Sequence, residues 1–140
     1  MKTRIVKDWM TANVITIPSS CTLPEAYWLM LENKIRRLPV VDHDTLVGIV
    51  TLEDLRHMSP LNVAGFDIIH ISDRLVKLPV RQLMTENPKT ISPAASLSDA
   101  AQLMLGHEIS ALPVIDEDKL VGMITARDIL RAYVELEENH

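Results

Sequence analysis

Thr51 and Asp54 stand three residues apart, and so do Thr125 and Asp128. Each pair closes an apolar run of strand length. In one place that run is Leu46-Val47-Gly48-Ile49-Val50, in the other Leu120-Val121-Gly122-Met123-Ile124, and helix-forming residues follow both. A strand running into a helix start leaves backbone N–H groups free beside the positive end of the helix dipole, which suits phosphate. A carboxylate in the first helical turn can accept from both hydroxyls of a ribose, as acidic residues do in dinucleotide folds. The same Thr-x-x-Asp spacing is also that of a capping box, in which nothing binds. Taken singly, the motif leaves both readings open.

The elements that carry it are written twice. A shift of 74 residues lays one half of the chain on the other without a gap. Met10-Thr11 falls on Met84-Thr85, Leu38-Pro39-Val40 on Leu112-Pro113-Val114, and Asp42 and Asp44 on Asp116 and Asp118. Leu46-Val47-Gly48 falls on Leu120-Val121-Gly122, and the two Thr-x-x-Asp motifs coincide. A repeat of about fifty residues buries too little surface to be comfortable alone. Two copies sharing a core are therefore expected, related by a pseudo-twofold axis.

Each repeat reads as βαββα. Val6 to Met10 makes a short helical turn, and Val14 to Ile17 a short apolar strand that Pro18-Ser19-Ser20 breaks. Thr22 then caps a helix with Glu25 as its partner, and Ser96 with Asp99 does so in the second repeat. Leu23, Ala26, Tyr27, Met30 and Leu31 share one helical face, with Met30 and Met104 as core filler. Trp28 lies off that face and reads either as a chance surface aromatic or as part of a subunit contact, the second being favoured. Leu38 to Val41 and Leu46 to Thr51 form a hairpin about a polar four-residue turn, Asp42 to Thr45. Pro39 and Pro113 place the first hairpin strand at a sheet edge or start, and Gly48 and Gly122 mark close approach by a ligand or another backbone. The expected boundaries are repeat one at 1–58, a linker with a helix within Phe66 to Leu78 at 59–79, repeat two at 80–134, and a frayed acidic tail at 135–140.

Composition narrows the function. The formal net charge of −5 argues against a nucleic-acid partner. No apolar run approaches the roughly 18 residues of a membrane span. The charged N-terminus is unlike a signal peptide, so a cytoplasmic protein is expected. The single cysteine, Cys21, excludes an intramolecular disulfide and has no adjacent base, so it reads as an inert thiol. The five histidines are scattered without ligand spacing, and the Asp-x-Asp pairs are turn residues with too few oxygens for a metal shell. No metal site, catalytic group or required cofactor is expected.

A tandem βαββα unit with Leu-Pro-Val, Leu-Val-Gly and a closing Thr-x-x-Asp resembles a pair of cystathionine-β-synthase (CBS) domains, the Bateman module. The linker is also similar to that of bacterial acetoin-utilisation-type CBS pairs. The resemblance implies an α+β (α/β) fold of two βαββα repeats and a regulatory, energy-sensing module rather than an enzyme. It implies that AMP, ADP, ATP or S-adenosylmethionine binds in clefts between the repeats, in a homodimer that signals to an effector protein the sequence does not name. Carried over residue by residue, site one comprises Thr16, Ile17, Leu38, Pro39, Val40, Thr51 and Asp54. Site two comprises Thr90, Ile91, Ala111, Leu112, Pro113, Val114, Thr125 and Asp128. The family's basic residues before Leu-Pro-Val match Arg36 and Arg37, while Ser110 and Ala111 replace them in repeat two. Arg127 lies inside the second motif where Glu53 lies in the first, so an arginine fork meets phosphate at the second site and a glutamate repels it at the first. The Thr125/Asp128 site is thus expected to be the better phosphate site. The rival expectation is a dimerisation or docking module with empty clefts.

Overall fold

The computed structural model describes residues 2–57 and 77–138. The helix expected in the linker lies outside them. The described residues divide into two units, one of Met1–Val14 with Pro88–His140 and the other of Ile15–Asn87. Each unit is an α+β layer built on a three-stranded antiparallel sheet.

In the Ile15–Asn87 unit, α1 (Leu23–Asn33) is followed by β2 (Arg37–Asp42), β3 (Thr45–Thr51) and α2 (Leu52–His57). In the other unit the same order is α3 (Leu97–His107), β5 (Ala111–Asp116), β6 (Lys119–Thr125) and α4 (Ala126–Glu138). The third strand of each sheet is a two-residue piece that precedes the opposite repeat. β1 (Thr11–Ala12) pairs with β6, and β4 (Thr85–Glu86) pairs with β3. The 3-10 turns ahead of them, Val6–Asp8 and Val80–Gln82, go with them, and Val6 and Val80 are fully buried. The segment that opens each repeat thus completes the sheet of the other.

Both long helices start as expected. Thr22 Oγ1 accepts from the Glu25 N–H at 3.4 Å and Ser96 Oγ from the Asp99 N–H at 2.9 Å. They end on Lys34 and Glu108 in the left-handed region, at φ 54° and 53°. Leu23, Ala26 and Met30 turn one face of α1 to the core, as Leu97, Ala100 and Met104 do in α3. Trp28 is half-exposed on the outer side of α1.

Three local expectations change. The hairpin loop is two residues, not four. His43-Asp44 and Glu117-Asp118 take positive φ at both positions (49° and 64°, 50° and 66°), the turn whose twist matches the flanking strands. The strand expected at Val14 to Ile17 shrinks to one parallel bridge, Ile17 to Val40, and the strand lies earlier at Thr11–Ala12. The closing helix continues to Glu138 instead of fraying at Glu135, because Leu136 packs on the core cluster and Glu135 meets Lys2 at 3.9 Å.

The interior glycines have a definite cause. A Cβ on Gly122 would stand 2.7 Å from the Thr11 carbonyl oxygen and 2.7 Å from Met10 Sδ. On Gly48 it would meet the Thr85 carbonyl at 2.9 Å and Met84 Sδ at 2.5 Å. Of the two expected causes of close approach, the structure supplies another backbone, the short third strand.

Candidate functional site

Each unit gathers its own candidate residues at one edge of its sheet. Pro39 lacks an N–H, and β2 is the outer strand of its sheet, as β5 is of the other. The outer side of β2 is met by the segment before α1: the Ile17 N–H donates to the Pro39 carbonyl at 3.1 Å and the Val41 N–H to the Ile17 carbonyl at 2.8 Å. The twin bonds join Ile91 to Pro113 (3.0 Å) and Ile115 to Ile91 (2.9 Å). Thr16-Ile17 therefore lies beside Leu38-Pro39-Val40, and Thr90-Ile91 beside Leu112-Pro113-Val114. Ile17, Leu38 and Val40 are buried in one core cluster; Ile91, Leu112 and Val114 are buried in the other. Strand alternation puts Pro39 and Pro113 on the opposite face from those leucines and valines. Thr16 and Thr90 are exposed.

The register brings the closing motif to the same edge. Thr51 pairs with Arg37 and Thr125 with Ala111 across the hairpins. The first helical N–H of α2, at Leu52, donates to the Arg36 carbonyl at 2.8 Å, and that of α4, at Ala126, to the Ser110 carbonyl at 2.9 Å. Each helix start is thereby tied to the residue that precedes the Leu-Pro-Val strand.

Both Thr-x-x-Asp motifs form the capping box. The Thr51 N–H donates to Asp54 Oδ2 (2.9 Å), and the Asp54 N–H donates back to Thr51 Oγ1 (3.1 Å). In the second motif the distances are 2.9 Å and 3.2 Å, and the Thr125 hydroxyl adds a bond to Asp128 Oδ2 at 3.1 Å. The cap consumes Oδ2 only. Among the described residues Asp54 Oδ1 has no protein donor, whereas Asp128 Oδ1 accepts from Arg131 at 3.3 Å. Capping and ligand binding are therefore compatible uses of one carboxylate.

The arginines divide. Arg36 forms an exposed ion pair with Glu53 at 2.6 Å, inside its own unit. Arg37 is half-buried, and desolvation, then the neighbouring Arg36 charge, lowers its pKa. It stays cationic, as arginine does throughout. Arg127 is exposed and has no acidic partner among the described residues.

Two features escaped the sequence reading. Asp42, read as a turn residue, holds the chain break before α1: its carboxylate accepts from the Ser19 N–H at 2.9 Å and the Ser19 hydroxyl at 2.5 Å. Those bonds depress its pKa. Arg131 was missed as well, although its spacing of three from Asp128 on a helix was a usable signal. Cys21 is buried, and desolvation, reinforced by Glu25, pushes its thiol up to about 11. Among the described residues no group of three or more His, Cys, Asp or Glu could hold a metal, and no helix is long and apolar enough to cross a membrane.

Two α+β units, each presenting a threonine, a proline-bearing edge strand and a capped carboxylate, define a tandem-repeat module. The CBS domain model matches residues 6–60 and again 80–135, and the chain belongs to the CBS domain family as a tandem pair. It is similar to the AcuB protein of Vibrio cholerae, at 32% identity, covering 96% of this chain and 93% of that one with a TM-score of 0.77. It is similar to CBSX2, whose structure is in complex with AMP, at 33% identity, 96% and 99% coverage and a TM-score of 0.78. It is similar to the CBS domain pair of protein MJ0100, in complex with 5-methylthioadenosine and S-adenosyl-L-methionine, at 28% identity, 94% and 96% coverage and a TM-score of 0.76.

Proposed function

We propose that this chain is a regulatory module whose two repeats bind an adenosyl ligand (AMP, ADP, ATP or S-adenosylmethionine) and pass its occupancy to a partner protein. The observation that carries the reading is the capping box with a spare oxygen. In the Ile15–Asn87 unit, Oδ1 of Asp54 has no protein donor among the described residues, beside an exposed threonine and an edge proline strand. A ribose diol supplies two O–H donors for such a carboxylate. The AMP complex of CBSX2 and the adenosyl complexes of MJ0100 support the ligand class.

The Thr125/Asp128 motif is the better phosphate site in this reading, since Arg127 has no acidic partner among the described residues while Arg36 is neutralised by Glu53. The module forms a homodimer. Half-exposed Trp28 and Leu31 on α1, with Leu130, Tyr133 and Val134 on α4, supply apolar surface for it. The mechanism is a population shift, in which ligand favours one arrangement and the partner reads the difference.

Thermal unfolding with AMP, ADP, ATP, S-adenosylmethionine and NADH tests the reading. A ligand at a hundred times its dissociation constant adds about 2.7 kcal/mol, a rise of several degrees for a chain of this size. The rise is expected to disappear in Asp128→Ala for a phosphorylated ligand. Loss of that binding in Asp54→Ala with Asp128→Ala intact refutes the site preference. A folded dimer that responds to none of the ligands is instead a docking module, the use its exposed apolar helix faces favour.

A further inference from the structure

Residues 2–12 form a strap on the unit that carries the second repeat. Leu97 N–H donates to the Arg4 carbonyl (2.9 Å), Val6 N–H to the Ala95 carbonyl (2.9 Å), and Lys7 N–H to the Pro93 carbonyl (3.0 Å). Thr11 and Ala12 complete the sheet. Trp9 anchors the strap. It is 2% exposed, its indole N–H donates to the Thr3 carbonyl at 2.8 Å, and the Lys2 ammonium sits 4.4 Å above its ring.

One guanidinium nitrogen joins this strap to the candidate ribose carboxylate. Arg131 Nη2 donates to the Trp9 carbonyl at 3.2 Å and to Asp128 Oδ1 at 3.3 Å. The guanidinium also lies 6.0 Å from the centre of the Trp9 ring. With Oδ2 taken by Thr125, every oxygen of Asp128 has a protein donor. Among the described residues the first repeat shows no equivalent link. His57 stands at the position of Arg131 and Leu83 at that of Trp9.

We propose that Arg131 is a positioning residue that sets the affinity of Asp128 for a ribose diol against the docking of the N-terminal strap. The proposal rests on Asp128 being the diol acceptor, as read above. A ribose hydroxyl and Arg131 Nη2 are both donors to Oδ1, and the guanidinium, whose charge already draws on that oxygen, weakens it as an acceptor for the second donor. Occupancy therefore weakens one of the two bonds that fix Arg131 and loosens its hold on the Trp9 carbonyl. By reciprocity, whatever frees Oδ1 from Arg131 strengthens ligand binding. The strap continues through Asn13 and Val14 into Ile15 to Ile17, which open the other unit, so the link is a covalent route from the second motif to the first repeat.

The test uses the full chain with adenosine, which has no phosphate for the arginine charge to attract. Affinity is measured by calorimetry and strap opening by amide hydrogen exchange over residues 4–12. Without ligand, Asp128→Asn and Arg131→Met are each expected to speed strap exchange, and the double variant is expected to add little. Arg131→Met is expected to bind adenosine about threefold to tenfold more tightly, the loss of one competing hydrogen bond, with Arg131→Lys between it and the parent. Adenosine is expected to speed strap exchange in the parent and not in Arg131→Met. A merely structural role predicts weaker binding in Arg131→Met, and unchanged or weaker binding overturns the proposal. Wild-type strap exchange in Asp128→Asn overturns the link itself. Adenosine binding to none of the proteins overturns the ligand reading, and the ligand-free exchange then still decides whether the link exists.

Discussion

Replacing Gly122 by alanine adds one methyl group where the backbone of β1 already passes. The new Cβ would lie 2.7 Å from the Thr11 carbonyl oxygen, with Met10 Sδ at 2.7 Å and Met10 Cγ at 3.2 Å. A methionine side chain can swing away. A carbonyl oxygen in a ladder cannot, so β1 must retreat by about 0.7 Å to reach an ordinary contact of about 3.4 Å. Such overpacking costs about 1–3 kcal/mol. Alanine recovers about 0.4–1 kcal/mol by restricting the unfolded chain. The net expectation is a loss of about 1–2 kcal/mol, or about 3–6 °C in Tm for this chain length. Gly106 is the control. An added Cβ there meets nothing within 4 Å, in the last turn of α3. Gly106→Ala is therefore expected to gain up to about 1 kcal/mol, nearer 0.5 because the position is close to the helix end. Urea unfolding of Gly122→Ala, Gly106→Ala, Met10→Ala and Met10→Ala/Gly122→Ala separates the contributions. The double variant should remain less stable than Met10→Ala alone, because the carbonyl clash persists. Full stability in Gly122→Ala refutes the backbone-approach argument.

Other consequences follow from the same geometry. Asp42 has a folded pKa below its ordinary value of about 3.9. Its stabilising contribution is whole above that value and is lost as the pH falls through the lower folded pKa. The Tm difference between the parent and Asp42→Asn should thus be clear at pH 6 and vanish in strong acid; a difference that persists there rejects the Ser19 bonds as its source. The Cys21 thiol, raised to about 11, should be alkylated at pH 8 on the order of a hundredfold more slowly than a free thiol of pKa about 8.5. In urea it should react at the free rate, and iodoacetamide kinetics followed by mass spectrometry measure both.

Much of each unit was legible because its signals are local. Thr22 and Ser96 announce helix starts within three residues, and the 3.6-residue spacing of Leu23, Ala26 and Met30 marks the buried face. The Thr-x-x-Asp spacing placed both carboxylates on helix first turns, and the edge prolines placed β2 and β5 at the rims of their sheets. Local signals also misled. Asp42 to Thr45 looked like one polar turn, yet strand pairing claims Asp42 and Thr45 and leaves two residues to reverse the chain.

The 74-residue repeat, read from sequence alone, determined that the chain is a tandem pair with two kindred motifs, since identical local patterns must fold alike. Only the tertiary structure decided that the segment opening each repeat completes the other repeat's sheet, and that Gly48 and Gly122 exist to admit it. Only it revealed that Arg131 reaches a carbonyl 122 residues away and ties Asp128 to the N-terminal strap. The physical reason is that capping and amphipathic spacing act over a few residues and leave their mark in composition. A bond to a backbone carbonyl far along the chain requires no particular side chain at its acceptor, so Trp9 bears no sign of the arginine that holds its carbonyl.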